Sequence, residues 1–155
     1  MGKGGLDARF YRETDAGGFT RLDGTVAFYT RVNALLAPEM VVVDLGAGRG
    51  ADAGNAGSGY RRRLAMLRGK VARVIGVDVD EAVRENPKLD EAVVYDGGRI
   101  PLPDASADVV VSDWTLEHIP DPALFAAEIH RILKPGGWLA ARTPHLFSAL
   151  VLSVR

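Results

Sequence analysis

The sequence predicts an α/β fold: a doubly wound, mostly parallel sheet of about five strands with helices on both faces. Two observations carry that expectation. Short β-branched runs ended by glycine or acid recur along the chain, and segments with apolar residues three and four apart separate them. Strands that alternate with helices pair in parallel through right-handed crossovers, which leaves an open sheet.

Each element has its own justification. Residues 1–22 are polar and glycine-containing and read as irregular. Thr25 to Ala37 carries apolar residues at helical spacing, and Pro38 stands where a helix should stop. "MVVVDLG" is a continuous apolar run of a strand buried on both faces. "YRRRLAMLRG" predicts a helix closed by Gly69, "ARVIGVDV" a second buried strand, "EAVVY" a shorter third and "ADVVVSDW" a fourth. In "DPALFAAEIHRIL", Asp121 suits the cap and Pro122 the first turn of a helix. Phe125, Ile129, Ile132 and Leu133 fall on one stripe of that helix, with Glu128 and Arg131 facing away. "KPGG" turns the chain into a fifth strand, "WLAARTP", and "HLFSALVLSVR" begins another apolar helix.

Composition narrows the function. A chain of 155 residues is one domain's worth, and we expect a single domain over residues 1–155. A net charge of −1 gives no basic excess to attract nucleic acid or an anionic membrane. Arg61-Arg62-Arg63, the one basic run, fits a solvated helix face. With no cysteine, disulfides, thiolate catalysis and thiolate-bound metals are excluded, and a reducing compartment is the natural setting. The first ten residues lack the apolar stretch of a secretory signal, and Leu6 occupies the place where myristoylation requires Ser or Thr. No apolar run is long enough to span a membrane. The expected location is cytoplasmic. Three histidines without ligand spacing offer no metal site.

The densest glycine stretch, "DLGAGRGADAGNAGSG", starts where the first strand ends. In open α/β sheets ligands bind beyond the carboxyl ends of the strands. Gly46 and Gly48 let the main chain turn tightly and approach a ligand. Gly46 to Ala51 also satisfies a loose dinucleotide pattern, G-x-G-x-x-G/A. Asp44, two residues ahead, would repel a pyrophosphate and suit an ammonium group or a positive sulfur. Asp78, ending the second strand, is placed to accept from ribose hydroxyls, with Asp80 as its neighbouring competitor. Asp96 and Gly97 follow the third strand, where an acid can take an exocyclic amine and a bare backbone can meet an adenine edge. Residues 51–59 read as a loop.

These motifs together resemble the class I S-adenosylmethionine-dependent methyltransferases of the small-molecule group, over roughly residues 40–145. "VVVDLGAGRG" is similar to the family's first motif and "VIGVDVD" to its ribose-binding segment. "DGGRIPLPDASADVVVSDWTLEHIPDP" is similar to its adenine loop and fourth strand, and "EIHRILKPGGWLAARTP" to its following helix, turn and fifth strand. The resemblance implies a Rossmann-like fold and S-adenosyl-L-methionine as cofactor. Asp44, Gly46, Ala47 and Gly48 would line its methionine end, Asp78 would hold the ribose, Val79 would pack on adenine, and Asp96 with Gly97 would read the adenine edge. Ser112 and Asp113 would lie near the reactive methyl and the acceptor.

Two departures accompany the resemblance. The family's long helix starts straight after the glycine turn, whereas "ADAGNAGSG" intervenes here. The family's final antiparallel strand pair is expected to be absent, leaving the sheet edge uncovered for self-association. The expected acceptor is a small molecule. If it needs a general base, His145 beyond the fifth strand is the first candidate and Asp113 the second. His118 reads as structural, His130 as packing or surface, Trp138 as core or rim packing, and Trp114 is open. A cofactor-binding but catalytically idle regulatory module is the alternative function, and a nucleotide-dependent oxidoreductase a more distant one.

Overall fold

A computed structural model describes residues 13, 18–50 and 59–144. The described residues form two compact units. One is drawn from within Met1–Leu35 and Asp52–Leu67, the other from within Leu36–Ala51 and Arg68–Arg155.

The smaller unit contains helices α1 (Gly24–Leu35) and α2 (Gly59–Ala65). Asp23 caps α1 by accepting from the Val26 N–H at 2.9 Å. The same carboxylate takes the Arg61 Nε–H at 2.6 Å, so Arg61 is not the freely solvated residue that its basic run suggests. Asn33 donates to Leu64 O at 2.9 Å, and Phe19 stacks on Tyr60.

The larger unit is the sheet, with strands β1 (Val41–Leu45), β2 (Arg73–Asp78), β3 (Glu91–Val94), β4 (Ala107–Asp113) and β5 (Leu133–Arg142). Their order is β3-β2-β1-β4-β5, every pairing parallel, which bears out the expected fold class. Successive strands run outward from β1 in both directions, so the switch point lies at the carboxyl end of β1, beside β4.

One face of the sheet carries Val43, Leu45, Ile75, Val77 and Val110. Phe125, Ile129 and Ile132 of helix α3 (Pro122–Ile132) cover it together with Ile100 and Leu102. The helix starts as the sequence predicts: the Asp121 carboxylate accepts from Ala123 and Leu124 N–H at 3.1 and 3.0 Å, followed by Pro122.

Glu128 and Arg131 depart from expectation. Instead of facing solvent they grip the loop before β4. Arg131 donates to Leu102 O at 2.8 Å, Ile100 O at 2.7 Å and Asp104 Oδ1 at 2.7 Å, while Glu128 accepts from the Ile100 N–H at 2.9 Å. Those loop carbonyls have no strand partner, and a guanidinium with five donors satisfies several at once.

Strand β5 starts earlier than predicted. Leu133 already pairs with Ala107, Lys134–Gly137 loop out as an irregularity, and pairing resumes between Trp138 and Val109. Lys134 Nζ holds the Asp108 carboxylate at 2.8 and 2.9 Å, and Asp108 also takes the Val41 N–H at 2.8 Å. One acid thereby ties the entry points of β1, β4 and β5. Trp138 is 57% exposed and so lies on the rim, not in the core.

Candidate functional site

The site is built where β1, β2 and β4 end. Strand side chains alternate between faces, and register places Asp44 beside Gly76 and Val111. Two residues further on, Asp78 and Asp113 therefore emerge on the same face as Asp44. Three carboxylates from three strands converge at the sheet's carboxyl edge. Asp44 bears the electrostatic consequence: burial, then the Asp113 charge and, less, Asp78, outweigh the lowering effect of Lys88 and push its carboxyl up to about 7. Part of the residue reaches solvent, but its carboxyl is deeply desolvated.

Beyond Leu45 the chain turns while still held against the end of β2. Gly46 N–H donates to Val77 O at 2.8 Å. Gly46 has φ +77°, and a Cβ there would overlap the Thr115 side chain, so this position combines backbone and steric demands for glycine. Thr115 Oγ1 in turn donates to Leu45 O at 3.2 Å, closing the turn from the β4 side. Gly48, at φ +51°, differs: a Cβ there would meet nothing within 4 Å. The turn is packed underneath and bare on top, which suits a cradle. Its N–H donates to Asp78 Oδ2 at 2.7 Å, and Asp78 Oδ1 accepts from Asp80 N–H at 2.9 Å. Asp80 itself caps the short helical turn Glu81–Glu85 through the Ala82 N–H at 2.9 Å. Of the two competing acids, Asp78 is the one tied to the glycine turn.

Asn86 escaped the sequence reading. It is buried, and its Nδ2 donates to Ala47 O at 2.9 Å and Gly48 O at 3.2 Å while Oδ1 accepts from Lys88 N–H at 2.9 Å. A Cβ on Gly50 would overlap this carboxamide. Its bonds to Ala47 and Gly48 are not legible locally, because those partners lie 39 and 38 positions away. Its one sequence signal is the Asn-Pro turn in "ENPK".

The remaining predicted residues take identifiable places. Val79 projects at the end of β2 with 61% exposure, an apolar side chain left uncovered. Asp96 Oδ1 accepts from Gly98 N–H at 2.9 Å, and a Cβ on Gly97 would meet nothing within 4 Å. Burial first, then the carboxylates of Asp78 and Asp96, push the Tyr95 phenol up, so both acids act on one neighbourhood. Ser112 is fully buried, and its hydroxyl has no hydrogen-bond partner among the described residues. Asp113 is ion-paired through both oxygens with Arg142, a residue missed by sequence reasoning that pairs with it across β4 and β5. His118 is exposed, in the short helical turn Leu116–His118. His145 lies outside the described residues, as do residues 51–58, expected as a loop, and residues 146–155; Gly59, expected in the same loop, instead opens α2.

These features fit a cationic nucleoside: a raised carboxyl that a positive charge would relieve and a bare cradle, whereas register puts the buried Ser112 hydroxyl on the opposite face, beside Leu45. The profile of the methyltransferase domain family matches residues 43–141, and the chain belongs to that family, among the class I S-adenosylmethionine-dependent methyltransferases. A protein named as a probable S-adenosylmethionine-dependent methyltransferase of Mycolicibacterium smegmatis is 41% identical over 103 residues, covering 62% of this chain and 39% of that one. Dimethylglycine N-methyltransferase of Parasynechococcus marenigrum is 35% identical over 111 residues, 66% of this chain and 37% of that one. The chain thus spans less than half the length of these relatives. Among solved structures, an S-adenosylmethionine-dependent methyltransferase from Aquifex aeolicus aligns with a TM-score of 0.55 and 26% identity, over 72% of this chain and 61% of that one.

Proposed function

We propose that this chain binds S-adenosyl-L-methionine and directs methyl transfer to a small-molecule acceptor. The bound cofactor would supply a methyl already activated on a positive sulfur. The convergence of Asp44, Asp78 and the bare glycine turn at one sheet edge carries the reading.

In this reading Asp44 faces the cofactor's positive charge, and Gly46, Ala47 and Gly48 line its methionine end. Asp78 accepts from the ribose hydroxyls with lone pairs left over from the Gly48 and Asp80 N–H groups. Val79 packs on adenine, whose edge meets Asp96 and Gly97. Ser112, which the resemblance sets near the reactive methyl, contributes there through its main chain, because its hydroxyl is buried on the other face beside Leu45. Asp113 sits nearby, but both its oxygens are engaged by Arg142, so taking a proton would disrupt an ion pair. His145 is therefore the preferred base where the acceptor needs one. The low net charge favours a neutral or weakly charged small acceptor over nucleic acid, and the cysteine-free composition favours the cytoplasm. Among the described residues strand β5 lies at the edge of the sheet with Trp138 and Leu139 exposed, which supports self-association along that edge.

Calorimetry with S-adenosylhomocysteine tests the reading. Asp78→Ala should weaken binding by about 1.5–3 kcal/mol, roughly tenfold or more, and leave a folded protein. An unchanged dissociation constant would remove Asp78 from the site.

A further inference from the structure

We infer that the indole of Trp114 is the stacking wall of the acceptor site, and that the acceptor presents a planar, electron-rich ring to it. The inference deepens the methyltransferase reading and rests on it for the word acceptor.

Trp114 is one of two non-glycine residues among those described with positive φ, at +60°. A bulky aromatic in the left-handed region is strained, and such strain persists only where the surroundings impose it. Here they do. The Trp114 N–H donates to Arg142 O at 3.1 Å, completing the last β4–β5 pair, Asp113 with Arg142. Arg142 then turns its guanidinium over the indole, 5.7 Å from the ring centroid, while the same group holds Asp113. Asp113, Arg142 and Trp114 form one clamp that fixes the direction of the ring.

The clamp does not bury what it holds. Trp114 remains 47% exposed although it immediately follows β4, at the edge where this fold receives ligands. A structural tryptophan would bring its large apolar surface into the core, and Trp114 is not among the residues that form it. Restraint without burial is the combination expected of a binding surface, because ordering before binding removes an entropic cost.

The chemistry of the second face follows. Arg142 occupies one face of the ring and draws its π density toward itself. The opposite face is left less negative and pairs best with an electron-rich plane, such as a phenol or an indole. Because Asp113 compensates the guanidinium, the assembly does not call for an anionic acceptor. Oxygen and nitrogen on electron-rich rings are also competent methyl acceptors.

The chain has two tryptophans, so Trp138→Phe isolates the Trp114 emission. Catechol serves as the planar probe and cyclohexanol as the non-planar control, each with and without S-adenosylhomocysteine. Catechol should quench Trp114 saturably, and cyclohexanol should not. Trp114→Ala should weaken catechol binding measured by calorimetry roughly tenfold, with Trp114→Phe restoring most of it. The S-adenosylhomocysteine dissociation constant should stay within about twofold in both variants. Equal responses to the two probes, or catechol affinity unchanged in Trp114→Ala, would overturn the inference. Failure of the intact chain to bind S-adenosylhomocysteine would instead count against the methyltransferase reading, and the probe result would still decide what the indole does.

Discussion

Asp44→Asn separates what the site costs from what it does. The folded protein raises this carboxyl from 3.8 to about 7, so between those values the folded state holds a proton that the unfolded state has lost. Stability therefore falls as pH rises through this window: the effect is nil below 3.8 and complete above about 7. The rise from 3.8 to about 7 corresponds to a destabilisation on the order of 4 kcal/mol at pH 8, and its main sources are desolvation and the Asp113 charge. Asparagine keeps the shape and removes the charge. Chemical denaturation of both proteins at several pH values is the assay. The variant should match the parent in acid and exceed it by several kcal/mol in mild alkali. The same substitution should cripple binding of S-adenosylmethionine, whose positive charge needs the ionised acid. In the parent, binding should release a proton below about pH 7, with affinity rising up to about tenfold per unit toward that value. A variant no more stable than the parent at pH 8, or a parent affinity indifferent to pH, would refute the argument.

Two further perturbations follow from single contacts. Ser112→Ala removes a buried hydroxyl without a partner among the described residues, so thermal unfolding should show equal or higher stability, by up to about 1–3 kcal/mol, while calorimetry shows unchanged cofactor binding, since the hydroxyl lies on the face away from Asp44. Loss of stability would mean that the hydroxyl already has a partner. Asn86→Asp replaces a donor facing two carbonyls with an acceptor, and should weaken S-adenosylhomocysteine binding at least tenfold by loosening the turn at Ala47 and Gly48. The Gly48 amide resonance should shift in the same variant, and an unmoved resonance would show that the turn holds its shape without Asn86.

Much of this was legible in the linear chain. The apolar runs around Val43, Ile75 and Val110 became the strands they predict, because burial on both sheet faces leaves a continuous β-branched signal that no neighbour is needed to interpret. Asp121 and Pro122 start α3 through bonds two and three residues away, so their role was readable on the spot. Where prediction failed, the partner was distant. Glu128 and Arg131 look like the outer face of an amphipathic helix until the loop at Ile100–Asp104 folds against them.

Periodicity therefore determined the strands, the glycine turn and the acids at strand ends, since each follows from local backbone geometry and from whether a side chain must leave water. Tertiary structure alone decided which of those groups meet. The parallel register set Asp44, Asp78 and Asp113 on one face, drew Asn86 beneath the turn, and engaged Asp113 with Arg142 under the strained Trp114. The reason is physical: a carboxylate's charge state and a side chain's partners depend on distances of a few ångströms between segments tens of residues apart, and no local pattern encodes them.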